Sequence, residues 1–211
     1  MSDVPWYARF LLRSTDWAWS LHTGYNTPFL EAIAASYGLG KTFRLLGAMT
    51  ASTKKLEASF GAVEAQLVLG IAGTWNGCRF CGAGHVYAAN LLYYRRHEAL
   101  LPLDEREVFD LQTLSFDELV AGINSRFEES EGPARELAPV VRRTFEMEQG
   151  ARSDESEGDR AIGAAIETWN HLNECSVETV YDFEVQVIPA LATVYKDKAL
   201  IRRYQAARGR A

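Results

Sequence analysis

Two of the chain's three cysteines and one of its four histidines stand together in Cys78-Arg-Phe-Cys81-Gly-Ala-Gly-His85. On a helix Cys81 and His85 are i,i+4 neighbours, and Cys78 lies about two turns before the histidine, so all three share one stripe. Asn76-Gly77 reads as a turn that puts Cys78 at a helix start. There the unsatisfied N–H groups and the positive end of the helix dipole favour a thiolate over a thiol. A dithiol of this kind beside an imidazole is suited to redox work. The competing structural reading is a pair of buried, inert thiols, since cysteine packs well in cores. In that reading His85 is a satisfied core histidine and Gln66 a helix polar group hydrogen-bonded to it.

Other chemistries built from these residue types fit less well. Covalent haem attachment needs a histidine directly after the second cysteine, and Gly82 stands there. A structural zinc site needs a fourth ligand and usually a second ligand pair. His97 is three turns from His85, and no other C-x-x-C or H-x-x-H exists, so no metal is expected. A thioredoxin-like motif would follow a strand, but the segment before Cys78 has helical periodicity. No cofactor is expected either. His22, His97 and His171 have no supporting constellation, and the acidic stretch near Asp154 reads as solvated. Trp75, Trp169 and Cys175 read as packing residues.

The elements that must position the dithiol are helical throughout, and the fold class expected is all-α in a single domain over residues 1–211. Thr27-Pro28 reads as a cap opening a helix that stops near Gly38. A short helix follows over Thr42 to Met49. Ser52 begins a longer one to Trp75, with Leu56, Phe60, Val63, Leu67 and Ile71 as its buried stripe. The cysteine helix runs from Arg79 to His97. Asp104-x-x-Glu107 and Ser115-x-x-Glu118 fit capping boxes, and Gly132-Pro133 opens a helix to Gly150. Ala151 to Asp159 reads as a loop. Two or three helices fill the rest, interrupted near Pro189, with a basic tail from Arg208 that frays. Shifted by 94 residues, Thr74-Trp75-Asn76 falls on Thr168-Trp169-Asn170 and Cys81 on Cys175. That register suggests a dithiol core over 50–97 and a degenerate second copy of it over 158–190.

Bulk properties narrow the function classes. The chain has 211 residues, 47% of them hydrophobic and 24% charged, enough for a substantial core. A net charge of −6 and a pI near 5.3 speak against a nucleic-acid binder that relies on phosphate attraction. The uncharged runs fall short of the ~20 apolar residues that a spanning helix needs, so no membrane role is expected. The first residues lack the basic start and apolar core of a signal peptide, which points to the cytoplasm. In that compartment a C-x-x-C is more often catalytic or metal-binding than structural.

The segment Gln66-Leu-Val-Leu-Gly-Ile-Ala-Gly-Thr-Trp-Asn-Gly-Cys-Arg-Phe-Cys-Gly-Ala-Gly-His85 resembles the core of the AhpD-like alkylhydroperoxidases, in the carboxymuconolactone decarboxylase superfamily. That signature is an acid, eleven residues, C-x-x-C, three residues and a histidine. The resemblance is clear over residues 50 to 95 and extends back to Asn26-Thr-Pro-Phe-Leu. It implies an AhpD-like helical bundle that reduces a hydroperoxide, with an external dithiol or protein reductant reopening the disulfide. In that scheme Cys81 is the attacking thiol, Cys78 the partner that closes the disulfide, and His85 the proton relay. The family's acid position holds Gln66, which can accept a hydrogen bond but not a proton. Glu64 would face the other side of the helix.

A weakly active redox-sensing or binding oligomer is therefore the alternative function, and lactone decarboxylation, from a branch without paired cysteines, ranks last. The resemblance also implies a homo-oligomer, a trimer or hexamer of the family type. The aromatic run Tyr93-Tyr-Arg-Arg-His97 suggests a place for its interface.

Overall fold

The computed structural model describes residues 5–23, 30–153, 155–177, 188 and 190–210 and, within these, all side chains except those of 19, 22, 23, 32 and 173–177. Every regular element among them is helical, and the fold is an all-α bundle. In order, the α-helices are α1 (Trp6–Thr23), α2 (Leu30–Tyr37), α3 (Leu39–Phe60), α4 (Ala62–Trp75) and α5 (Arg79–His97). They continue as α6 (Val108–Leu111), α7 (Phe116–Glu128), α8 (Ala138–Glu148), α9 (Glu157–Val177) and α10 (Lys198–Ala207). Two short 3₁₀ turns, Gly132–Leu137 and Thr193–Lys196, precede α8 and α10.

The centre of the bundle is α4. From Ala65 to Thr74 all its residues are buried, as expected of a helix that is apolar on nearly every face. One side of the α4–α5 pair, with Leu67, Ile71, Ala83 and Val86, packs on Ile123 and Phe127 of α7 and on Val141 and Phe145 of α8. The other side of α4 meets Leu56 of α3 and Ile162, Ala165 and Trp169 of α9. The far face of α5 is covered by Val194, Leu200 and Tyr204. Leu12 of α1 sits on Leu30 and Ala34 of α2.

Glycines let α4 and α5 approach at backbone distance. A Cβ on Gly73 would lie 2.5 Å from the Gly82 nitrogen and 2.8 Å from the Cys81 carbonyl carbon, distances no side chain could occupy. This crossing sets the height of α5 against α4, and it brings residue 66 beside residue 85.

Several expectations need correcting. The helix boundary expected between Met49 and Ser52 is absent, because Thr50, Ser52 and Thr53 turn their hydroxyls onto preceding helical carbonyls at 2.9–3.0 Å. The chain breaks instead at Gly61, whose φ of 108° suits only glycine. The segment from Gly132 begins as 3₁₀ and becomes α-helical only at Ala138. Ser115 forms a complete capping box with Glu118, whereas Asp104 and Glu107 make one leg of one, Asp104 N–H to Glu107 Oε2 at 3.0 Å, before the short α6. The basic tail does not fray: Arg208 and Arg210 are held by Asn90, Asp104 and Glu105.

At the aromatic end of α5 two tyrosines have ring neighbours within the chain. Tyr93 is buried and stacks on His97 at 4.6 Å, and Tyr94 meets Tyr204 at 5.9 Å. In the expected second copy, α9 runs unbroken through Asn170 to Leu172, the positions that match the α4–α5 turn. The helix–turn–helix is therefore not repeated there. Thr27-Pro28, residues 178–187 and the Cys175 side chain lie outside the described residues. No helix among those described is long and apolar enough to cross a membrane.

Candidate active site

The turn between α4 and α5 is built to present Cys78 as a helix cap. Gly77 takes a positive φ of 71°, and the Cys78 N–H returns to the Gly73 carbonyl at 3.0 Å. The Cys78 Sγ then accepts the Cys81 N–H at 3.3 Å, doing with sulfur what a serine or aspartate oxygen does at an ordinary N-cap. The turn is braced from two sides. Gln112 Nε2 donates to the same Gly73 carbonyl at 3.3 Å. On the other side Asn170 Oδ1 accepts from Asn76 Nδ2 at 2.6 Å and from Trp75 Nε1 at 3.2 Å. The Asn170 amide in turn donates to Glu148 at 3.1 Å. Asn76 and Asn170, matched by the 94-residue register, are thus bonded to each other.

The two thiols form a coupled pair. Both are buried. The Cys81 thiol is pushed well above the ordinary cysteine value, first by its hydrogen bond to Cys78, then by burial and by repulsion from charge on Cys78. Cys78 is the sulfur at the cap, where it accepts the Cys81 N–H at the positive end of the helix dipole.

His85 and Gln66 form the second pair. The imidazole Nδ1 donates to Gln66 Oε1 at 2.7 Å, which leaves the Nε2 lone pair as the ring's only basic site. Burial pushes the imidazole down to about 3, so the ring is neutral at physiological pH. Among the described residues the ring makes no hydrogen bond to either sulfur. The four expected site residues thus appear as two bonded pairs, Cys78–Cys81 and Gln66–His85, one helical turn apart on α5. Glu64 belongs to neither; its carboxylate lies over Gly61.

Trp169 is the residue the sequence placed among packing groups and the structure places beside the chemistry. Its ring meets the His85 ring edge-on, with centroids 5.7 Å apart. It is buried, and among the described residues its indole N–H has no hydrogen-bond partner. An orphaned buried donor of this kind costs about 1–3 kcal/mol, so its place next to the imidazole calls for an explanation. The only signal in the sequence was the repeated Thr-Trp-Asn, which could not say which member would touch the histidine. Among the described residues no group of three or more histidine, cysteine or acidic side chains could hold a metal ion.

No family model, curated protein or solved structure matches this chain. What the site can do therefore rests on its own geometry: two thiols in hydrogen-bond contact, one basic ring nitrogen, and an unsatisfied N–H donor beside it.

Proposed function

We propose that the protein is an AhpD-like thiol oxidoreductase that reduces a small hydroperoxide with its own dithiol. The observation that carries this reading is the coupled sulfur pair at the α5 cap, where one sulfur accepts hydrogen bonds and the other holds its proton. The overall step balances as two thiols plus R–O–O–H giving one disulfide, R–OH and water. The first sulfur attacks the terminal oxygen and the O–O bond breaks, with a proton reaching the departing alkoxide. The sulfenic acid so formed is attacked by the second thiol, which closes the disulfide and expels water. An external dithiol or protein reductant restores the pair. Burial of both sulfurs restricts entry to small peroxides or requires the site to open.

The cap geometry, in which the Cys78 sulfur accepts the Cys81 N–H at the helix start, favours Cys78 as the first nucleophile, the reverse of the order that the resemblance implies. The His85 Nε2 serves as the relay, and the orphaned indole N–H of Trp169 is the donor that an entering oxygen would satisfy.

The test is peroxide consumption with a dithiol reductant by the native chain, Cys78→Ser and Cys81→Ser. Turnover should vanish in both variants, and only Cys81→Ser should accumulate a sulfenic acid, trapped on Cys78 by dimedone. Undiminished turnover in both variants overturns the peroxidase reading. Trapping on Cys81 in Cys78→Ser, with none on Cys78 in the other variant, restores the order of the resemblance. A second reading, a redox sensor with little turnover, is favoured by one observation: His85 faces an amide instead of a carboxylate and is held neutral. A base with so low a pKa supplies little general-base help near neutrality.

A further inference from the structure

The helix most out of keeping with a closed monomer is α1. Its inner face is ordinary: Ala8 and Leu12 are buried against the bundle. At 100° per residue, Trp6, Phe10, Trp17 and Leu21 fall within an arc of about 60° on the opposite side. Trp6 is 81% exposed, Phe10 66% and Trp17 64%, and Tyr7, Leu11 and Leu21 are each about half exposed. The helix is thus apolar on two opposed faces, the pattern of a helix buried on both. The C-terminal end of the helix is anchored to the rest of the chain, since the Tyr195 hydroxyl donates to the Leu21 carbonyl at 3.0 Å.

We infer that this face pairs with the same face of a second copy of the chain, antiparallel about a two-fold axis passing between residues 13 and 14. Two features of the stripe select this occupant. The first is its symmetry. Trp6 and Leu21, Phe10 and Trp17, and Arg13 and Ser14 are equidistant from one midpoint, so a reversed copy lays each large apolar residue against another. That self-complementarity is what an isologous contact requires. Arg9, Arg13 and Asp16 lie along one rim of the stripe, where Arg13 pairs within the chain with Glu31 of α2 at 3.3 Å.

The second feature is area. Aromatic side chains bury ~150–250 Å² each, so the four residues of the stripe expose roughly 550 Å² per copy, with Tyr7 on its flank adding toward the ~800 Å² per partner of a standard interface. Monomers seldom leave so large an apolar patch uncovered. A lipid surface is the poorer occupant, because the basic residues of the stripe share their rim with Asp16 and the chain as a whole carries −6.

The test uses the full chain in two ways. Sedimentation should show a dimer at micromolar concentration, and Phe10→Glu and Trp17→Glu should each give a folded monomer with unchanged helical circular dichroism. Single cysteines read the register. Arg13→Cys sits at the axis and should form an interchain disulfide under mild oxidation. Trp6→Cys should not, because antiparallel pairing separates it from its counterpart by about 22 Å along the helix at 1.5 Å per residue. Cross-linking at both positions would indicate parallel pairing and overturn the proposal. So would a native chain that stays monomeric, whether or not it then floats with phosphatidylcholine–phosphatidylserine vesicles, or a dimer that both glutamates leave intact.

Discussion

At the start of α5, Cys78, Cys81 and His85 are buried, and beside His85 the Trp169 indole N–H has no hydrogen-bond partner among the described residues. Along the second half, Asn90 is buried in a network that uses nearly all of it. Asn90 donates to the Leu103 carbonyl at 3.0 Å and accepts from Arg208 at 2.9 Å. Glu105, also buried, accepts from the Tyr204 hydroxyl at 2.6 Å and from Arg210 at 2.6 Å. Burial, followed by the neighbouring Glu105 charge, holds the Tyr204 phenol protonated far above its ordinary range. One helix therefore carries two polar centres in similar surroundings, one satisfied and one not. A satisfied buried network rigidifies. Groups that are buried and only half satisfied persist where they have a second use, and here they surround the dithiol.

The largest effect that would break this contrast is on stability. Glu105→Ala strips partners from Tyr204, Asn90 and Arg210 at once. Arg210 keeps Asp104, Tyr204 keeps Arg208 and Asn90 keeps Leu103, but hydrogen bonds to a charged group are worth ~1.5–3 kcal/mol each, and urea unfolding should show a loss of about 3 kcal/mol. Cys81→Ala removes a single sulfur and should cost only ~1 kcal/mol while abolishing peroxide reduction. Equal stability losses in the two variants would mean that the dithiol end is as structural as the tail end.

Next comes the crossing that aligns the two pairs. Gly73→Ala drives a methyl group into the backbone of α5 at Cys81 and Gly82, which cannot yield as a side-chain tip can. Overpacking of this kind costs ~1–3 kcal/mol, and it loosens the Gly73 carbonyl that holds the Cys78 N–H. Gly47→Ala, on exposed α3 with open space around the new methyl, is the control and should be neutral or slightly stabilising. The check is thermal unfolding together with the alkylation rate of the thiols. Both should fall in Gly73→Ala, and an unchanged alkylation rate would detach the crossing from the chemistry.

The dithiol end was the more legible of the two in the sequence, for a physical reason. Cys78, Cys81 and His85 lie within eight residues on one helix, so local periodicity alone fixes their common face. The limits of α5 followed from that, whereas Gln66, on another helix, stood out only through its place in the family signature. The tail network joins residues about 100 positions apart, Glu105 with Tyr204 and Asn90 with Arg208, and no local pattern encodes such pairs. A basic C-terminus next to Gly209 looks the same whether it frays or finds two buried acids. Trp169 packs in the core as expected, but its place beside His85 was not legible, since any buried tryptophan looks like packing until its ring neighbour and its lone N–H are seen. Thr50 to Ser52 looked like a break because hydroxyl residues disfavour helix interiors, but back-bonding to the preceding turn kept them helical.

The smallest and sharpest probe acts on one hydrogen bond at the less satisfied end. His85 has an ordinary value of 6.5 and is held near 3 by burial. As pH falls below 6.5 the unfolded chain takes up a proton that the folded chain refuses. Stability contributed by the neutral ring is thus complete above about 6.5 and is lost progressively toward 3. Gln66→Glu puts a carboxylate on the Nδ1 side, where an opposite charge at this distance raises a histidine by ~1–3 units. Titration of the His85 ring protons by NMR should show that rise, and the acid-side loss of stability should shrink with it. If the ring relays protons, a base closer to neutrality also works better, and peroxide turnover should increase severalfold. A raised histidine with unchanged turnover would remove the imidazole from the proton path and leave the two thiols to act alone.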